Sequence, residues 1–314
     1  MLEEFELIRG LIHASAAGMA ADPRVRVGPG DDLAVLNVGD RALLAGVDQV
    51  LDGVHFSLAA LRRDEADPLY WVARKAVNRN LSDVAAMAAV PLAVLAAVSL
   101  PRAMPPGDAA RLSEALDQVA GAGPFPCRCV GGDISVWDGP LTLSVTVLAT
   151  ADGVEPVLRT GAEPGDRLYV TGTLGDTLRT GHHLRFEPRL EVARRLASDA
   201  ATRPTAMLDL SDGLAGDLAH LTDHAVIHAE RLPLRGAADW RAAVSDGEDH
   251  ELLLAVPAGA SMPPSVAGVP LTCVGEVRDG GGLGVVADGA EMTFQAAGVA
   301  GWSHGGGGRG EARS

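Results

Sequence analysis

Strand-like and helix-like periods alternate along nearly the whole chain, and this alternation restricts the fold more than any other feature. Residues 42–50, Ala-Leu-Leu-Ala-Gly-Val-Asp-Gln-Val, read as a buried strand. Asp67-Pro68 then supplies an N-cap with proline at the first helical position, followed by an apolar face of Leu69, Val72, Ala76 and Val77. Asp108 is expected to cap the next helix, where Leu112, Leu116 and Val119 recur at helical spacing. From Leu141 to Thr150, Ser and Thr alternate with Leu and Val, which is a strand pattern. Turn residues crowd 151–153 and 161–166. Further strands are predicted at Arg167–Thr171, Leu208–Leu210, 251–256 and 272–277, with a helix starting at Ser211-Asp212. The pattern is that of an α/β chain. Its 314 residues suit two domains, 1–150 and 151–304, and the glycine-rich stretch 305–314 is expected to be a disordered tail.

Composition removes several function classes. A net charge of −15 argues against nucleic acid or an anionic membrane as partner and suits divalent cations, which take carboxylate oxygens. Lys75 is the single lysine, so no Gly-Lys pair exists and a P-loop is excluded. The apolar run from Val84 to Leu100 is interrupted by Pro91 and falls short of the roughly 20 residues of a membrane helix. It is expected to hold a helix ending near Ala89, a turn, and a buried strand. The start of the chain is acidic where a signal peptide is basic, and Cys127, Cys129 and Cys273 match neither a disulfide framework nor a zinc ribbon. The expectation is a soluble, cytoplasmic protein.

Aspartates recur where strands or helices meet glycine-rich turns. They are Asp31 and Asp32 after Gly30, Asp48 and Asp52 around the end of the first strand, Asp83 in Asn80-Leu81-Ser82-Asp83, and Asp133 after Gly131-Gly132. Asp209 and Asp212 precede Gly213, and Glu248-Asp249 follow Gly247. Such acids are hard oxygen ligands for Mg²⁺, and the glycines beside them let backbone N–H groups approach phosphate. Each acid also has a plain structural role open to it, since Asp is a common turn residue and N-cap; Asp67, Asp108 and Asp212 are the clearest cases. His220, His224 and His228, at i, i+4 and i+8, offer a competing zinc set only if one helix carries all three, yet Ala225-Val226-Ile227 reads as strand. His182-His183 reads as a polar turn.

Taken together, these strings resemble the thiamine-monophosphate kinase family, within the superfamily of aminoimidazole ribonucleotide synthetase. The matching pieces are Glu4-Phe5-Glu6-Leu7-Ile8, Gly30-Asp31-Asp32, Asp48 with Asp52-Gly53-Val54-His55-Phe56, and Asn80-Leu81-Ser82-Asp83-Val84-Ala85-Ala86-Met87. Gly131-Gly132-Asp133, Arg159-Thr160-Gly161-Ala162, Pro164-Gly165-Asp166 and Val170-Thr171-Gly172-Thr173-Leu174-Gly175-Asp176 continue the series. It closes with Asp209-Leu210-Ser211-Asp212-Gly213-Leu214, Gly247-Glu248-Asp249-His250-Glu251-Leu252 and Gly301-Trp302. The resemblance implies a two-domain fold of mixed sheets with helices packed on them, dimerisation through the N-terminal domains, and transfer of the γ-phosphoryl of ATP onto thiamine phosphate. It implies Asp32, Asp48, Asp83, Asp133, Asp209 and Asp212 as magnesium ligands, with Asp83 and Asp212 central to catalysis. Gly132, Asp133, Arg159 and Ser211 match ATP contacts, and His55, Glu248 and Trp302 match thiamine-phosphate contacts.

The implied chemistry is self-consistent, because a phosphate acceptor is already largely ionised at neutral pH and needs no general base. Three departures stand out. Gly46-Val47 replaces the usual Ser or Thr before Asp48, Asp246 stands where a second glycine is usual, and the stretch between Asp176 and His183 is short. Another ATP-using member of the superfamily, such as aminoimidazole ribonucleotide synthetase, or a catalytically inactive nucleotide- and metal-binding module, remains the alternative reading.

Overall fold

The structure, a computed structural model, describes residues 22–301 together with Gly10 and Met19. The Glu4–Ile8 string, Trp302 and the tail 305–314 lie outside the described residues. Two mixed sheets organise the chain. The first is built from β1 (Val25–Val27), β2 (Ala34–Val38), β3 (Arg41–Leu51), β4 (Val90–Pro101), β5 (Arg128–Trp137) and β6 (Thr142–Thr150), in the spatial order β1-β2-β3-β6-β4-β5. The pairing of β4 with β5 is parallel and the rest antiparallel. A parallel pair needs a crossover, and the helix Pro106–Ala120 between the two strands supplies it.

The second sheet comprises β7 (Arg167–Thr171), β8 (Ala206–Asp209), β9 (Ala225–His228), β10 (Leu252–Val256), β11 (Ser265–Val266), β12 (Val269–Val277), β13 (Leu283–Ala287) and β14 (Ala290–Thr293). Its order is β14-β13-β9-β12-β7-β10-β8, with β11 paired to β12. Helices accompany both sheets: α1 (Leu58–Asp64), α2 (Pro68–Ala86), α3 (Pro106–Ala120), α4 (His182–Arg185), α5 (Leu190–Ser198), α6 (Leu214–Leu221), α7 (Trp240–Ser245) and α8 (Phe294–Ala297).

Helix α2 is the wall shared by both halves. Asp67 caps it, its carboxylate accepting from Tyr70 N at 3.3 Å, with Pro68 in the first turn as the sequence predicts. Its apolar residues Val72, Ala73, Ala76, Val77 and Val84 are fully or almost fully buried, but so are Arg74, Lys75, Asn78, Asn80 and Ser82. Most of those polar groups find partners across the molecule, Asn80 being the exception, with its Nδ2 donating to Ala76 O within the helix. Arg74 Nη1, Lys75 Nζ and Asn78 Nδ2 donate to the carbonyls of Leu184, His183 and Phe186 at 2.8, 3.2 and 3.1 Å. The one-turn helix α4 has no following turn to receive these carbonyls, so side chains of α2 take them up. The hydrophobic core of the first sheet accordingly continues into Leu184, Leu190, Val192, Leu196, Met207 and Leu252.

Two caps differ from expectation. The cap residue of α3 is Pro105, and Asp108 lies in the first turn, paired with Arg62. The cap residue of α6 is Gly213 at φ 90°, so Asp212 stands before the helix and is not its cap. A side chain at 213 would also meet Asp246 O at 2.9 Å, which leaves glycine as the residue that fits. The histidine zinc set fails: α6 ends at Leu221, His224 lies in the turn, and His228 ends β9, so one helix face does not carry all three. The only grouping of metal-type ligands among the described residues is elsewhere.

Gly46 sits on β3 facing the core, where an added Cβ would lie 2.4 Å from Leu33 Cδ2, and Leu33 is itself 1% exposed. Gly46→Ser is therefore expected to lower the unfolding free energy by about 1–3 kcal/mol through overpacking. Urea denaturation of parent and variant measures it.

Candidate active site

Three carboxylates from three distant stretches converge where the halves meet. Asp32 precedes β2, Asp83 lies in the last turn of α2, and Asp209 ends β8; one oxygen of each lies within 4.8 Å of the others. The Asp32 side chain is fully buried and Asp209 is 3% exposed. Arg159 answers part of the charge, its Nη2 donating to Asp32 Oδ1 at 2.6 Å, while its backbone N–H donates to Asp31 Oδ2 at 3.2 Å. Asp209 Oδ2 accepts from Ser82 Oγ at 2.7 Å and lies 3.1 Å from His250 Nδ1. Asp32 Oδ2 is buried without a hydrogen-bond partner.

The electrostatics follow from this crowding. Burial above all, and then the charges of Asp209 and Asp31, push the Asp32 carboxyl up to about 7 against the pull of Arg159. Asp83 is raised well above its usual range by burial and by Asp48, Asp209 and Asp32. Burial also opposes charge on Asp209, yet His250, Ser82 and Arg159 together hold it below the usual range. A buried cluster of like charges with an orphaned oxygen fits a hard divalent cation.

The other sequence-predicted residues fall into three groups. Asp48 is close to the cluster: it faces the same side of β3 as Gly46, helps to raise Asp83, and lies 3.6 Å from Arg79 Nε. Ser211 and Asp212 occupy the loop after β8. The Asp212 N–H donates to Asp217 Oδ2 at 3.0 Å, and the Ser211 carbonyl accepts from Glu248 N at 2.7 Å. Gly301, the last described residue, packs on Gly216 and beside Asp212. Glu248 is reached from α2, since Lys75 Nζ donates to its Oε1 at 2.7 Å. His55 sits in the turn after β3, where Nδ1 accepts from Leu51 N at 3.1 Å.

Gly132 and Asp133 are not brought to the cluster. Asp133 pairs with Ala97, Ala97 with Ser144, and Ser144 with Gln49, the neighbour of Asp48. Three strand spacings of ~4.8 Å separate it from β3, about 14 Å. Strand β5 is exposed along almost its whole length.

Three further residues shape the site, and of these Asp217 alone lies outside the strings quoted above. Asp217 is a fully buried acid that fixes the 211–213 loop; its carboxyl is raised well above the usual range by burial and by Asp212 and Asp209. Its spacing from Asp212, on the first turn of a helix after Ser-Asp-Gly, was the available signal. Asp249 is gripped by Arg235 Nη1 at 2.6 Å and Gly175 N at 3.0 Å. His250 stacks on Phe186 with ring centroids 4.0 Å apart. Glu248 and His250 both have left-handed φ, 64° and 48°, the kind of backbone strain that concentrates at functional sites.

Comparison with known proteins gives the family and the fold. The family model "AIR synthase related protein, N-terminal domain" matches residues 30–151. A thiamine-monophosphate kinase of Rhodopirellula baltica is 39% identical over 285 residues, covering 83% of this chain and 86% of that one. The chain belongs to the thiamine-monophosphate kinase family. The Salmonella typhimurium thiamine-monophosphate kinase is 34% identical, covering 86% of this chain and 90% of its own. The solved structure of AaThiL complexed with AMPPCP and TMP superimposes with a TM-score of 0.77 at 26% identity, covering 96% of this chain and 97% of that one. The expected fold of mixed sheets with packed helices is therefore the one observed.

Against the family pattern, the departures acquire physical explanations. Val47 is 63% exposed and faces away from Asp48, because side chains alternate along a strand. A hydroxyl there would point to the outer face of the sheet. Asp246 and the shortened segment are one feature: Asp246 Oδ2 accepts from Asp176 N at 2.7 Å, and Asp176 is left-handed at φ 58°. The extra acid pins the short turn that leads into α4.

Removing one charge from the cluster should stabilise the cation-free protein. In chelator, parent stability should fall as pH rises from about 4 to about 7, because the folded chain holds protons on Asp32 that the unfolded chain releases near pH 4. Asp83→Asn should flatten that fall and raise stability at pH 7 by about 1–3 kcal/mol. It should also weaken the rise in melting temperature expected when Mg²⁺ is added to the parent. Thermal melts across pH, with and without the cation, measure both.

Proposed function

We propose that the chain transfers the γ-phosphoryl group of ATP to thiamine phosphate, giving thiamine diphosphate and ADP, with Mg²⁺ held by the acidic cluster. The observation that carries this reading is that the chain aligns with thiamine-monophosphate kinases over most of its length while its own Asp32, Asp83 and Asp209 converge. The co-occurrence of AMPPCP and TMP in AaThiL supports a site that takes a nucleotide and a thiamine phosphate together.

Asp32, Asp48, Asp83, Asp209 and Asp212 would hold magnesium, whose charge neutralises the phosphates and aligns acceptor with donor. The chain's own residues do the rest. Arg159, fixed against Asp32, presents its guanidinium at the cluster for the nucleotide phosphates, and Ser211, in the loop after β8, serves the same ligand. The acceptor oxygen is an ionised phosphate oxygen, its second pKa being ~6, so transfer can be direct and no phospho-enzyme is required. Glu248 and His55 serve the thiamine half, and the family resemblance adds Trp302, which lies outside the described residues.

We further infer a homodimer formed through the 1–150 domain, with 151–304 as the second domain. Val130, Ile134, Val136 and Trp137 on β5, and Val47 on β3, are each more than 40% exposed. An edge strand this apolar calls for a partner. Gly132 and Asp133 lie on the same strand, so their nucleotide and metal roles belong to the dimer. Within the described residues no helix is long and apolar enough to cross a membrane, which is compatible with a cytoplasmic enzyme.

An assay of the purified chain with ATP, thiamine phosphate and Mg²⁺ tests the function. Equimolar ADP and thiamine diphosphate are expected, and ATP binding without turnover would overturn the reading. Ile134→Lys should give a monomer by sedimentation and reduce kcat by at least about tenfold, since removing a cluster of apolar contacts forfeits more than ~1.4 kcal/mol.

A further inference from the structure

Lys75 is the only lysine among 26 Lys and Arg residues, and its side chain is 0% exposed. A chain that uses arginine everywhere else has placed a lysine at the centre of α2. The surroundings account for the choice. Lys75 Nζ meets two acceptors, Glu248 Oε1 at 2.7 Å and the His183 carbonyl at 3.2 Å. A compact ammonium suits two acceptors in a closed space, whereas a guanidinium would bring five donors in a rigid fork.

Glu248 is held at every point except one. Its backbone N–H is tied to Ser211 O, and the next two residues are anchored by Arg235, Gly175 and the Leu210 carbonyl. Lys75 takes Oε1, while the side chain as a whole stays 22% exposed. That leaves Oε2 for a ligand. Burial opposes charge on Glu248, but the ammonium beside it outweighs burial and holds the carboxyl below its usual range, so the free oxygen belongs to an anion. An anionic acceptor repels the phosphates of ATP and attracts a cationic ring or an N–H donor. Thiamine phosphate carries both, a thiazolium and an aminopyrimidine.

We propose that Lys75 is a positioning residue, which locks Glu248 with one carboxylate oxygen presented to the cationic, amine-bearing half of thiamine phosphate. This rests on the kinase reading above and deepens it. Without Lys75 the carboxylate regains its rotamers, and ordering it again on binding weakens thiamine phosphate but not ATP.

Steady-state kinetics of the full chain test this with Lys75→Met, Glu248→Gln and the double variant, each checked for folding by thermal melt. Lys75→Met should raise KM for thiamine phosphate about tenfold or more, the scale of one charged hydrogen bond, with KM for ATP within about twofold. Should Lys75→Met fail to fold because it strands a buried carboxylate, the double variant removes both charges and stands in for it. The double variant should match Glu248→Gln alone in KM for thiamine phosphate, because Lys75 reaches that substrate only through Glu248, its bond to the His183 carbonyl bearing on folding, which the thermal melt reads. A double variant tenfold worse than Glu248→Gln would overturn the proposal, as would an equal loss for both substrates or a folded Lys75→Met with unchanged constants. A parent that does not phosphorylate thiamine phosphate would overturn the kinase reading and this inference with it; an active parent with indifferent Lys75 overturns this inference alone.

Discussion

Three carboxylates held within 4.8 Å of one another repel, and the rest of the structure exists in a form that holds them there. No single element could do this. Asp32 comes from the turn into β2, Asp83 from the end of α2, and Asp209 from the end of β8, so closing the cluster requires the two halves of the chain to dock. The stabilisation for that docking comes from apolar burial, since the core of the first sheet runs on into Leu184, Leu190, Leu196 and Leu252. Arg159 reduces the repulsion but does not cancel it, and burial above all, with the remaining repulsion, pushes the carboxyls of Asp32 and Asp83 upward. A cluster that is strained when alone and relaxed by a cation couples folding to ligand binding.

Helix α2 is the mechanical link between that cluster and the neighbouring Glu248. One side of the helix packs on the first sheet, and its buried polar residues reach the second half. Arg74, Lys75 and Asn78 take the carbonyls of 184, 183 and 186, Lys75 also takes Glu248, and Ser82 takes Asp209. Buried polar groups paired in this way specify a unique arrangement, because any slip of the helix would strand several of them at once. The short turn after Asp176 belongs to the same device. Asp246 fixes its start, and α2 fixes the carbonyls at its end.

Much of the fold was legible from local pattern. The Asp67-Pro68 start of α2 and the strands expected at 42–50, 141–150 and 167–171 follow from periods and turn residues that act over a few positions. The turn expected at Pro91 instead falls at 87–88, after a helix that ends at Ala86, and Pro91 lies inside β4. The misreadings were local as well. Asp108 and Asp212 look like helix caps by composition, yet Pro105 and Gly213 occupy those positions, and what Asp212 meets is Asp217, five residues on. Cap chemistry fixes which residue types suit a helix start, not which of several nearby candidates the tertiary fold selects.

The sequence by itself determined the kinds of groups available: a chain rich in Asp beside Gly, with one lysine, no P-loop, and the ordered strings of its family. Those are properties of residues and short spacings. Convergence was a matter for the tertiary structure alone. Asp32, Asp83 and Asp209 are separated by 51 and 126 positions, and no local rule relates them. Nor does any local rule show that Lys75 would reach across 173 positions to Glu248, or that Asp133 would lie three strands from its expected companions. Distances of that kind are set by which apolar faces bury one another, and burial is a property of the whole chain.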